Sequence, residues 1–377
     1  EGEPSMLTGG IAVAISTMSA AAGASAPPRV LICGGGIIGA STAYYLSKRG
    51  CKPIIVERCE IAAAASGKAG GFLAKDWNDG SPVGPLTRAS YDLHKELAEE
   101  FGADTIDYRT LSCIAVAVAE RPAGSATPKK LQGVDWADLG ARGSRPMGDE
   151  STIAQVHPHK LTSALARAVR DAGGEVRIGT VQEIEPGGTP RVRVDGAWMD
   201  ADAVIVAMGP WTNHVAGSLG LPPVLGQKYH SVLMQAERTL DQAVFFQGKG
   251  DPEVYPRPRG EVYVTGFPDA PGLVKEMPGA VEVRAEVANR LESVGRELST
   301  ELRDAPRTKA QSCHLPICSD GMPVIGPLPK APGVFVATGH SCWGILNAPA
   351  TGKALAELII DGKASCVSID AFAPGRF

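Results

Sequence analysis

The order of apolar and polar positions at residues 30–57 predicts a strand, a turn, a helix and a second strand. The first strand is the apolar run from Val30 to Cys33, and a short continuous run of this kind is typical of a buried strand. Small and apolar residues then recur with helical spacing over residues 36–49. The second strand is the segment KPIIVE, which ends at Glu57. Together these elements predict one β–α–β unit.

The turn of this unit carries three glycines, Gly34, Gly36 and Gly39, in the spacing Gly-x-Gly-x-x-Gly. In such a unit one glycine makes the tight turn, one lets a pyrophosphate approach the backbone, and one lets the helix pack on the strand. The phosphates lie at the helix N-terminus, where free N–H groups and the helix dipole favour negative charge. Glu57 ends the second strand, where a carboxylate can accept hydrogen bonds from ribose hydroxyls. The unit therefore predicts a dinucleotide site and leaves both FAD and NAD open.

The α/β pattern continues beyond this unit. Apolar residues spaced as in a helix occur over residues 86–101. A second helix is predicted to begin near Pro158 and to end at Gly173. Strands are predicted at residues 176–178, in RVRV and in ADAVIVAMGPW. Residues 120–150 lack a clean period, and loops around short strands are expected there.

Residues 226–312 have a different pattern. The segments HSVLMQ, AVFFQ and EVYVTGF predict antiparallel strands, and residues 281–298 predict an exposed helix. The last part of the chain returns to the α/β pattern, with a strand in GVFVAT and a helix that begins near Ile345. This order predicts a nucleotide domain built from separated segments, with a strand-rich domain inserted between them.

Composition limits the possible partners and the compartment. The chain has 377 residues, 44% of them hydrophobic, and a net charge of -4. It is long enough for two domains, and its charge argues against nucleic acid or an anionic membrane as partner. The expected partner is a small-molecule substrate. The 8 cysteines form no CxxC pair, so we expect no metal site and no disulfide framework, and a reducing, cytoplasmic location.

The N-terminal segment permits a second location. Residues 4–28 carry no charge and are rich in small residues. They lack the basic start of a secretory signal and the apolar length of a transmembrane helix. We expect a disordered leader at residues 1–28. The alternative is a transit segment, which would place the protein in a chloroplast or another organelle.

Four segments, taken in order, resemble the D-amino-acid oxidase-like family of FAD-dependent oxidoreductases, which includes glycine and sarcosine oxidases. They are GGGIIG with its Glu57, ASGKAGG at 65–71, ADAVIVAMGPWT at 201–212, and residues 320–359 with the turn GHSCWGI. The last segment is similar to the flavin-covering segment of that family, so the resemblance implies FAD rather than NAD. Within the family, SCHLPICSDGMPVIG is most similar to an uncharacterised eukaryotic branch of oxidoreductases.

The resemblance implies an α/β fold with a Rossmann-like FAD-binding domain assembled from discontinuous segments and an inserted antiparallel-sheet substrate domain. The FAD-binding domain is expected to comprise residues 29–80, 151–225 and 313–365. The substrate domain is expected to comprise residues 81–150 and 226–312, and residues 366–377 are expected to form a C-terminal tail.

The family motifs also imply which residues bind the cofactor. Small residues in ASGKAGG would let backbone N–H groups approach the cofactor, and the helix after GHSCWGI would direct its positive end at the flavin. The implied cofactor-binding residues are Gly34, Gly36, Ile37, Ile38, Gly39, Glu57, Arg58, Ser66, Gly67, Lys68, Gly70, Gly71, Val181, Gly209, Trp211, Cys313, Gly339, Gly344 and Ile345.

The chain departs from the family where the substrate carboxylate is held. Amino-acid oxidases of this kind use arginines, whose planar guanidinium makes two parallel hydrogen bonds to a carboxylate. The corresponding positions here are Leu315 and Cys342. The inserted domain could supply this cation instead, from Lys228, Arg257 or Arg259. The alternative is that these side chains are solvated charges at strand ends.

His340 is a further candidate for the substrate site. In the family, the residue at this position supports the GHSCWGI turn. His340 is therefore either a structural histidine or a group that transfers protons. No catalytic residue is therefore assigned, which agrees with a chemistry that needs no dedicated base if the amine binds deprotonated.

Cys313 raises the question of covalent flavin attachment. In sarcosine-oxidase-like members, a cysteine that is covalently bound to the flavin precedes the Asp of this motif. Cys313 precedes Asp320 by the same number of residues. A buried, unreactive cysteine is the alternative. We expect non-covalent FAD, with a Cys313 linkage as the second possibility.

These residues predict an FAD-dependent oxidase or dehydrogenase that oxidises a small amine or imino compound by hydride transfer to flavin N5. Two other functions remain open: oxidation of a non-amine small molecule, and a non-catalytic role as an FAD-stabilised assembly or trafficking factor.

Overall fold

A computed structural model describes residues 26–120, 128–129, 131–221 and 223–377. Almost all of the expected leader, residues 1–28, lies outside this range, and so does the alternative of a transit segment. No helix in the described part of the chain is both long and apolar enough to cross a membrane.

A six-stranded sheet forms the first layer. Its apolar strands are buried, and all neighbours run parallel except the pair at one edge. In order across the sheet the strands are Val324–Pro327, Val334–Thr338, Ala203–Val206, Val30–Cys33, Ile54–Glu57 and Glu175–Ile178. Strands from distant parts of the sequence thus meet in one sheet, as the alternating pattern predicts, and their ends form one edge where a ligand can bind.

Helices pack on this sheet through small and apolar faces. The helix after the glycine turn, Ile37–Lys48, lies against the last long helix, Gly344–Asp361. Their close approach depends on Gly352, where a Cβ would lie 2.6 Å from the backbone of Ser41. The α-helices are Ile37–Lys48, Ala65–Lys68, Gly84–Phe101, Ala103–Ile106, Pro158–Asp171, Asn213–Leu219, Ala285–Leu298 and Gly344–Asp361.

A seven-stranded sheet forms the second unit. In order it contains Arg307–Ile317, Leu225–Gln235, Glu261–Gly266, Glu253–Pro256, Gln242–Gln247, Ser112–Val118 and Ala141–Gly148. The neighbours are antiparallel except Gln242–Gln247 and Ser112–Val118, which run parallel. The strand-rich pattern of residues 226–312 is therefore reproduced, with one parallel pair that the sequence does not predict.

Two three-stranded sheets complete the fold. One contains Ala197–Asp200, Arg191–Val194 and Val181–Glu185, and the other contains Phe72–Ala74, Ile153–Gln155 and Arg109–Thr110. The remaining helical turns are Gly209–Thr212, Pro258–Gly260, Ser341–Trp343, Asp370–Phe372 and Pro374–Arg376. The mixed α/β architecture agrees with the fold expected from the sequence.

The helix predicted at residues 281–298 is shorter and less exposed than expected. It spans Ala285–Leu298 and buries Ala288, Leu291 and Leu298, which join the core of the seven-stranded sheet. Residues 281–284 are not helical. The apolar residues repeat with the helical period, so one face packs on the sheet while the other faces solvent.

The contacts of two segments bear on the proposed domain division. The strand Arg307–Ile317 pairs along its length with Leu225–Gln235, so residues 313–317 are part of the seven-stranded sheet. The helix Gly84–Phe101 packs on Gly344–Asp361 and shares the core of the six-stranded sheet. From these contacts we propose that the six-stranded sheet and its helices are the FAD-binding domain and that the seven-stranded sheet is the substrate domain.

Candidate functional site

A long cavity follows the carboxyl ends of the six-stranded sheet. Its lining includes Gly34, Arg58, Gly179, Ala207 and Ala337, each of which lies at or just beyond the end of a different strand. Neighbouring strands lie about 4.8 Å apart, so the five strands span about 19 Å. The cavity has an empty volume of about 1190 Å³, including the part open to solvent. We call it the nucleotide cavity, because its length suits an extended dinucleotide.

The glycine turn leaves room for the backbone to touch a ligand. Gly34 has φ +115°, and a Cβ there would lie 2.4 Å from the carbonyl oxygen of Ala207. A Cβ on Gly36 would lie 3.0 Å from the hydroxyl oxygen of Ser66. That hydroxyl accepts a hydrogen bond of 2.8 Å from the N–H of Ile37, in the first turn of the helix. The turn thus presents bare backbone at a helix N-terminus, which fits a pyrophosphate.

Gly39 serves packing rather than ligand contact. A Cβ there would lie 2.0 Å from the carbonyl oxygen of Gly34, and Gly39 does not line the nucleotide cavity. This is the role that the third glycine of the motif is expected to have, since it lets the helix lie close to the strand.

The Glu57 carboxylate is fixed at the wall of the nucleotide cavity. Its Oε2 accepts a hydrogen bond of 2.7 Å from the N–H of Gly35, and its Oε1 accepts one of 3.0 Å from the N–H of Cys59. A carboxylate oxygen can accept more than one hydrogen bond. Both oxygens therefore keep capacity for ribose hydroxyls, and the residue fits the adenosine part of FAD.

The two ends of the nucleotide cavity differ in the residues that line them. Gly179, Thr180 and Val181 line it beyond one strand of the sheet. His340, Ser341, Cys342, Gly344 and Ile345 line it beyond another. Between them Gly209 has φ +53° and open space where a Cβ would lie. The residues present therefore fit FAD. The expected cofactor-binding residues that line the cavity are Gly34, Gly36, Ile37, Ile38, Glu57, Arg58, Ser66, Val181, Gly209, Trp211, Gly344 and Ile345.

The other expected cofactor residues lie around the cavity. A Cβ on Gly67 would meet the carbonyl oxygen of Ala62, and one on Gly339 would meet the sulfur of Cys318, so both glycines permit close packing. Lys68 donates a hydrogen bond of 3.1 Å to the carbonyl oxygen of Ser312. The expected residues outside the nucleotide-cavity lining are Gly39, Gly67, Lys68, Gly70, Gly71, Cys313 and Gly339.

A second cavity adjoins the first. Four residues, Ala69, Leu315, Cys342 and Ile345, line both cavities. The second has an empty volume of about 890 Å³, including the part open to solvent. We call it the aromatic cavity, because its walls contain Phe72, Trp77, Tyr229, Phe245, Tyr255, Tyr263 and Trp343.

Strand register explains how the aromatic wall forms. Phe245 pairs with Glu253, and Tyr255 pairs with Tyr263, in neighbouring strands of the seven-stranded sheet. Glu253 and Tyr255 are two residues apart on one strand, so their side chains point to the same face. The rings pack together, with centroids 5.9 Å apart for Tyr255 and Tyr263 and 5.3 Å apart for Tyr255 and Phe72. One face of the sheet thus becomes one wall of the aromatic cavity.

Lys228 does not reach either cavity. It alternates with Tyr229 along its strand, and Tyr229 is the residue that lines the aromatic cavity. The Lys228 ammonium instead donates a hydrogen bond of 2.9 Å to Glu276, which also contacts His314 at 2.6 Å. Burial acts to raise the pKa of Glu276, but the hydrogen bonds from Lys228 and His314 bring it to about 2. Lys228 is therefore part of a closed ion-pair network.

Arg257 is likewise occupied by protein groups. It is buried, makes an ion pair of 2.7 Å with Glu261, and donates a hydrogen bond of 2.8 Å to the carbonyl oxygen of Ala69. Arg259 pairs with Asp107. None of these arginines lines a cavity described above. The structure therefore does not support Lys228 or Arg257 as a substrate cation.

His340 is at the nucleotide cavity and is buried. Its Nε2 lies 3.1 Å from the hydroxyl oxygen of Thr351, and its Nδ1 has no hydrogen-bond partner among the described residues. Burial lowers the pKa of His340 to about 3, so the imidazole is neutral near pH 7. It is placed to support the turn before Gly344–Asp361 rather than to exchange protons.

Cys313 lines the aromatic cavity but not the nucleotide cavity. It is buried, and burial raises the pKa of its thiol to about 11, although Lys68 opposes that shift. The thiol is therefore protonated near pH 7. Since the thiolate is the reactive form of cysteine, this environment favours non-covalent FAD.

We expect acid precipitation of the holoprotein to give a colourless pellet and to release all the FAD into the supernatant. The mass of the denatured chain should equal that of the apoprotein, and Cys313→Ser should retain the wild-type FAD content before denaturation. Yellow colour that survives washing of the pellet, lost in Cys313→Ser, would contradict non-covalent binding.

Sequence patterns missed the aromatic cavity. Glu253 and Tyr255 carry the strand alternation that places them on one face, but no motif shows that this face borders a cavity. Trp77 lies in a loop and Trp343 ends the helical turn Ser341–Trp343, both outside the seven-stranded sheet, and their ring centroids are 6.3 Å apart. The available sequence signal for this cavity was the high frequency of aromatic residues at 245–263. A hydrophobic core has the same composition, so this signal does not distinguish a cavity from a core.

Comparison with known proteins places the fold among flavoenzymes. The DAO family model, described as FAD dependent oxidoreductase, matches residues 29–358. An oxidoreductase of Schizosaccharomyces pombe is 31% identical, with 92% of this chain and 97% of that protein covered. Glycine oxidase of Geobacillus kaustophilus is 29% identical, with 88% and 92% covered. The crystal structure of glycine oxidase from that organism superposes with a TM-score of 0.77 at 26% identity, covering 93% and 99%.

A further relative is 4-methylaminobutanoate oxidase (formaldehyde-forming) of Paenarthrobacter nicotinovorans. It is 27% identical, and the match covers 89% of this chain and 44% of that enzyme.

Proposed function

Because the chain belongs to the DAO family of FAD-dependent oxidoreductases, we propose that it oxidises a small amine or imino compound and thereby acts on a C–N bond. When bound, FAD supplies the oxidant, since flavin N5 can accept a hydride from the carbon beside nitrogen, and the resulting imine is hydrolysed by water.

The single observation that carries this proposal is the junction of the two cavities. The nucleotide cavity fits FAD, and the aromatic cavity adjoins it at the shared lining residues Ala69, Leu315, Cys342 and Ile345. A small molecule held in the aromatic cavity would therefore lie next to any part of a bound cofactor that reaches the junction. The volume of the aromatic cavity suits a small molecule rather than a polymer.

Residues of the chain supply positioning and a dry environment. The aromatic rings and Leu315 give the junction apolar walls, and electrostatic contacts are stronger in an apolar environment than in water. Gly344 begins a helix of 18 residues and lines the nucleotide cavity. The positive end of this helix favours negative charge that develops nearby. His94 fixes the start of that helix, because its Nε2 lies 3.0 Å from the carbonyl oxygen of Ile345.

The comparisons support nitrogen compounds as substrates. Glycine oxidase and 4-methylaminobutanoate oxidase both take their names from compounds with an amine nitrogen. The eight cysteines all lie within the described residues and are unpaired, which supports a reducing compartment such as the cytoplasm as our proposal for location.

The proposal is tested by anaerobic mixing of the purified holoprotein with amines, amino acids, hydroxy acids and polyols. We expect the flavin absorbance near 450 nm, a general property of oxidised flavin, to bleach with at least one amine or amino acid at about millimolar concentration. Hydroxy acids and polyols of matched size should leave the spectrum unchanged. Bleaching by a hydroxy acid alone would replace the proposed chemistry with C–O oxidation, and no bleaching by any compound would favour a non-catalytic flavoprotein.

A further inference from the structure

The aromatic cavity has one carboxyl side chain. Among the described residues that line it, Glu253 is the only one of the types Asp, Glu, Lys, Arg and His. Within the described parts of the chain, no basic group contributes to the pKa shift of Glu253. An ionised carboxylate without a cation costs free energy in an apolar cavity, so its pKa rises unless a cationic ligand pairs with it.

The surroundings of Glu253 contain no compensating base. Burial raises the pKa of the Glu253 carboxyl, and a hydrogen bond from the Tyr255 hydroxyl opposes that shift. The ionisable groups that interact with it electrostatically are Tyr255, Cys113, Tyr229 and Cys342. None of these groups can carry a positive charge, so a cationic ligand would be the partner that stabilises the ionised form of Glu253.

The aromatic rings add a second reason for a cation. Aromatic faces attract ammonium groups through the ring quadrupole, most strongly where water is excluded. Seven aromatic residues surround Glu253 in this cavity, and the alkyl substituents of an amine would contact the same rings. A ring-lined cavity with one carboxylate is therefore complementary to an alkylammonium ion.

The same cavity is unsuited to a substrate carboxylate. Leu315 and Cys342 occupy its junction with the nucleotide cavity, and its described lining includes no lysine or arginine. A carboxylate would have to lie near Glu253 without a partner, and like charges repel in an environment of this kind.

We infer that the aromatic cavity selects alkylamines without a carboxylate, with Glu253 as the residue that binds their ammonium group. This inference rests on the proposed function and names its substrate class. The amine enters as an ammonium ion, passes one proton to the Glu253 carboxylate, and remains bound as the neutral amine from which a hydride can leave the adjacent carbon to the flavin. Loss of the hydride leaves an iminium ion, which reacts with water to give a carbonyl compound and an ammonium ion.

A pair of substrates that differ only by a carboxylate tests the class. N-methylpropylamine is 4-methylaminobutanoate without its carboxylate. We expect N-methylpropylamine to bleach the flavin of the wild-type holoprotein at a concentration at least about tenfold lower than 4-methylaminobutanoate or glycine. Faster or tighter reaction of the carboxylates would overturn the inference while leaving the proposed function intact. Absence of bleaching by every amine and amino acid would overturn both.

A binding measurement tests the role of Glu253 without turnover. Choline and 3,3-dimethylbutan-1-ol have the same shape, but only choline is charged. By calorimetric titration of the holoprotein, we expect choline to bind at least about tenfold more tightly than the neutral alcohol. Choline affinity should fall as pH is lowered through the pKa of Glu253, because protonation removes the negative charge, while affinity for the alcohol should not change. Equal affinity for the two probes would overturn the inference.

Matched variants separate binding from folding. Glu253→Gln keeps the shape of the side chain and removes its charge, so it should abolish the preference for choline and its pH dependence while FAD content stays at the wild-type level. Glu286→Gln is the control, since that side chain is 73% exposed on the helix Ala285–Leu298. It should behave as wild type. A Glu253→Gln protein that keeps the full preference for choline would overturn the assignment of Glu253.

Discussion

Gly36→Val is expected to give a protein that purifies without FAD and is colourless. Gly36 lines the nucleotide cavity at the start of the helix Ile37–Lys48. Even a Cβ there would lie 3.0 Å from the Ser66 hydroxyl oxygen, and the valine methyl groups would extend further. The substitution thus fills the space where bare backbone would meet a pyrophosphate and displaces the hydroxyl that accepts a hydrogen bond from Ile37.

The measurement is the ratio of absorbance at 450 nm to that at 280 nm, together with thermal unfolding with and without added FAD. Wild type should gain thermal stability with FAD, because a ligand that binds only the folded state stabilises it, and Gly36→Val should gain none. Gly188→Val is the matched control, since a Cβ at that exposed glycine would meet nothing within 4 Å. Wild-type colour in Gly36→Val would show that the glycine turn does not contact the cofactor.

The nucleotide half of this site could be predicted from sequence because its constraints are local. A strand, a glycine turn and a helix lie within one continuous segment, and each glycine has a steric reason that the spacing already implies. Gly34 and Gly39 meet backbone atoms at distances that leave no room for a side chain. Glu57 follows from the same unit, since it stands at the end of the next strand.

The substrate half could not be predicted in the same way, because its residues come together only through long-range pairing. The aromatic wall requires the register that sets Phe245 against Glu253 and Tyr255 against Tyr263. Lys228 and Tyr229 are adjacent in sequence, yet alternation sends only Tyr229 into the cavity. The charge of Lys228 made it a candidate in the sequence, but its ammonium group pairs with Glu276, and the neighbouring Tyr229 lines the aromatic cavity.

Leu315 offers the largest expected change in specificity. It lines both cavities, at a position where the family pattern led us to expect an arginine for the substrate carboxylate. Leu315→Arg would put a guanidinium into a cavity whose described lining includes Glu253 and no lysine or arginine. The new cation should repel an ammonium group and offer two parallel hydrogen bonds to a carboxylate.

We expect Leu315→Arg to weaken the binding of N-methylpropylamine by at least about tenfold, since like-charge contacts cost several kcal/mol where water is excluded. The same variant should strengthen the binding of 4-methylaminobutanoate by about the same factor. Both values come from the dependence of flavin bleaching on substrate concentration under anaerobic conditions. Leu315→Met is the control, because it preserves volume and adds no charge, so it should leave the ratio of the two affinities near the wild-type value. If arginine changed both affinities by the same factor, charge at the junction would not govern the choice of substrate, and Leu315 would act there only through its shape.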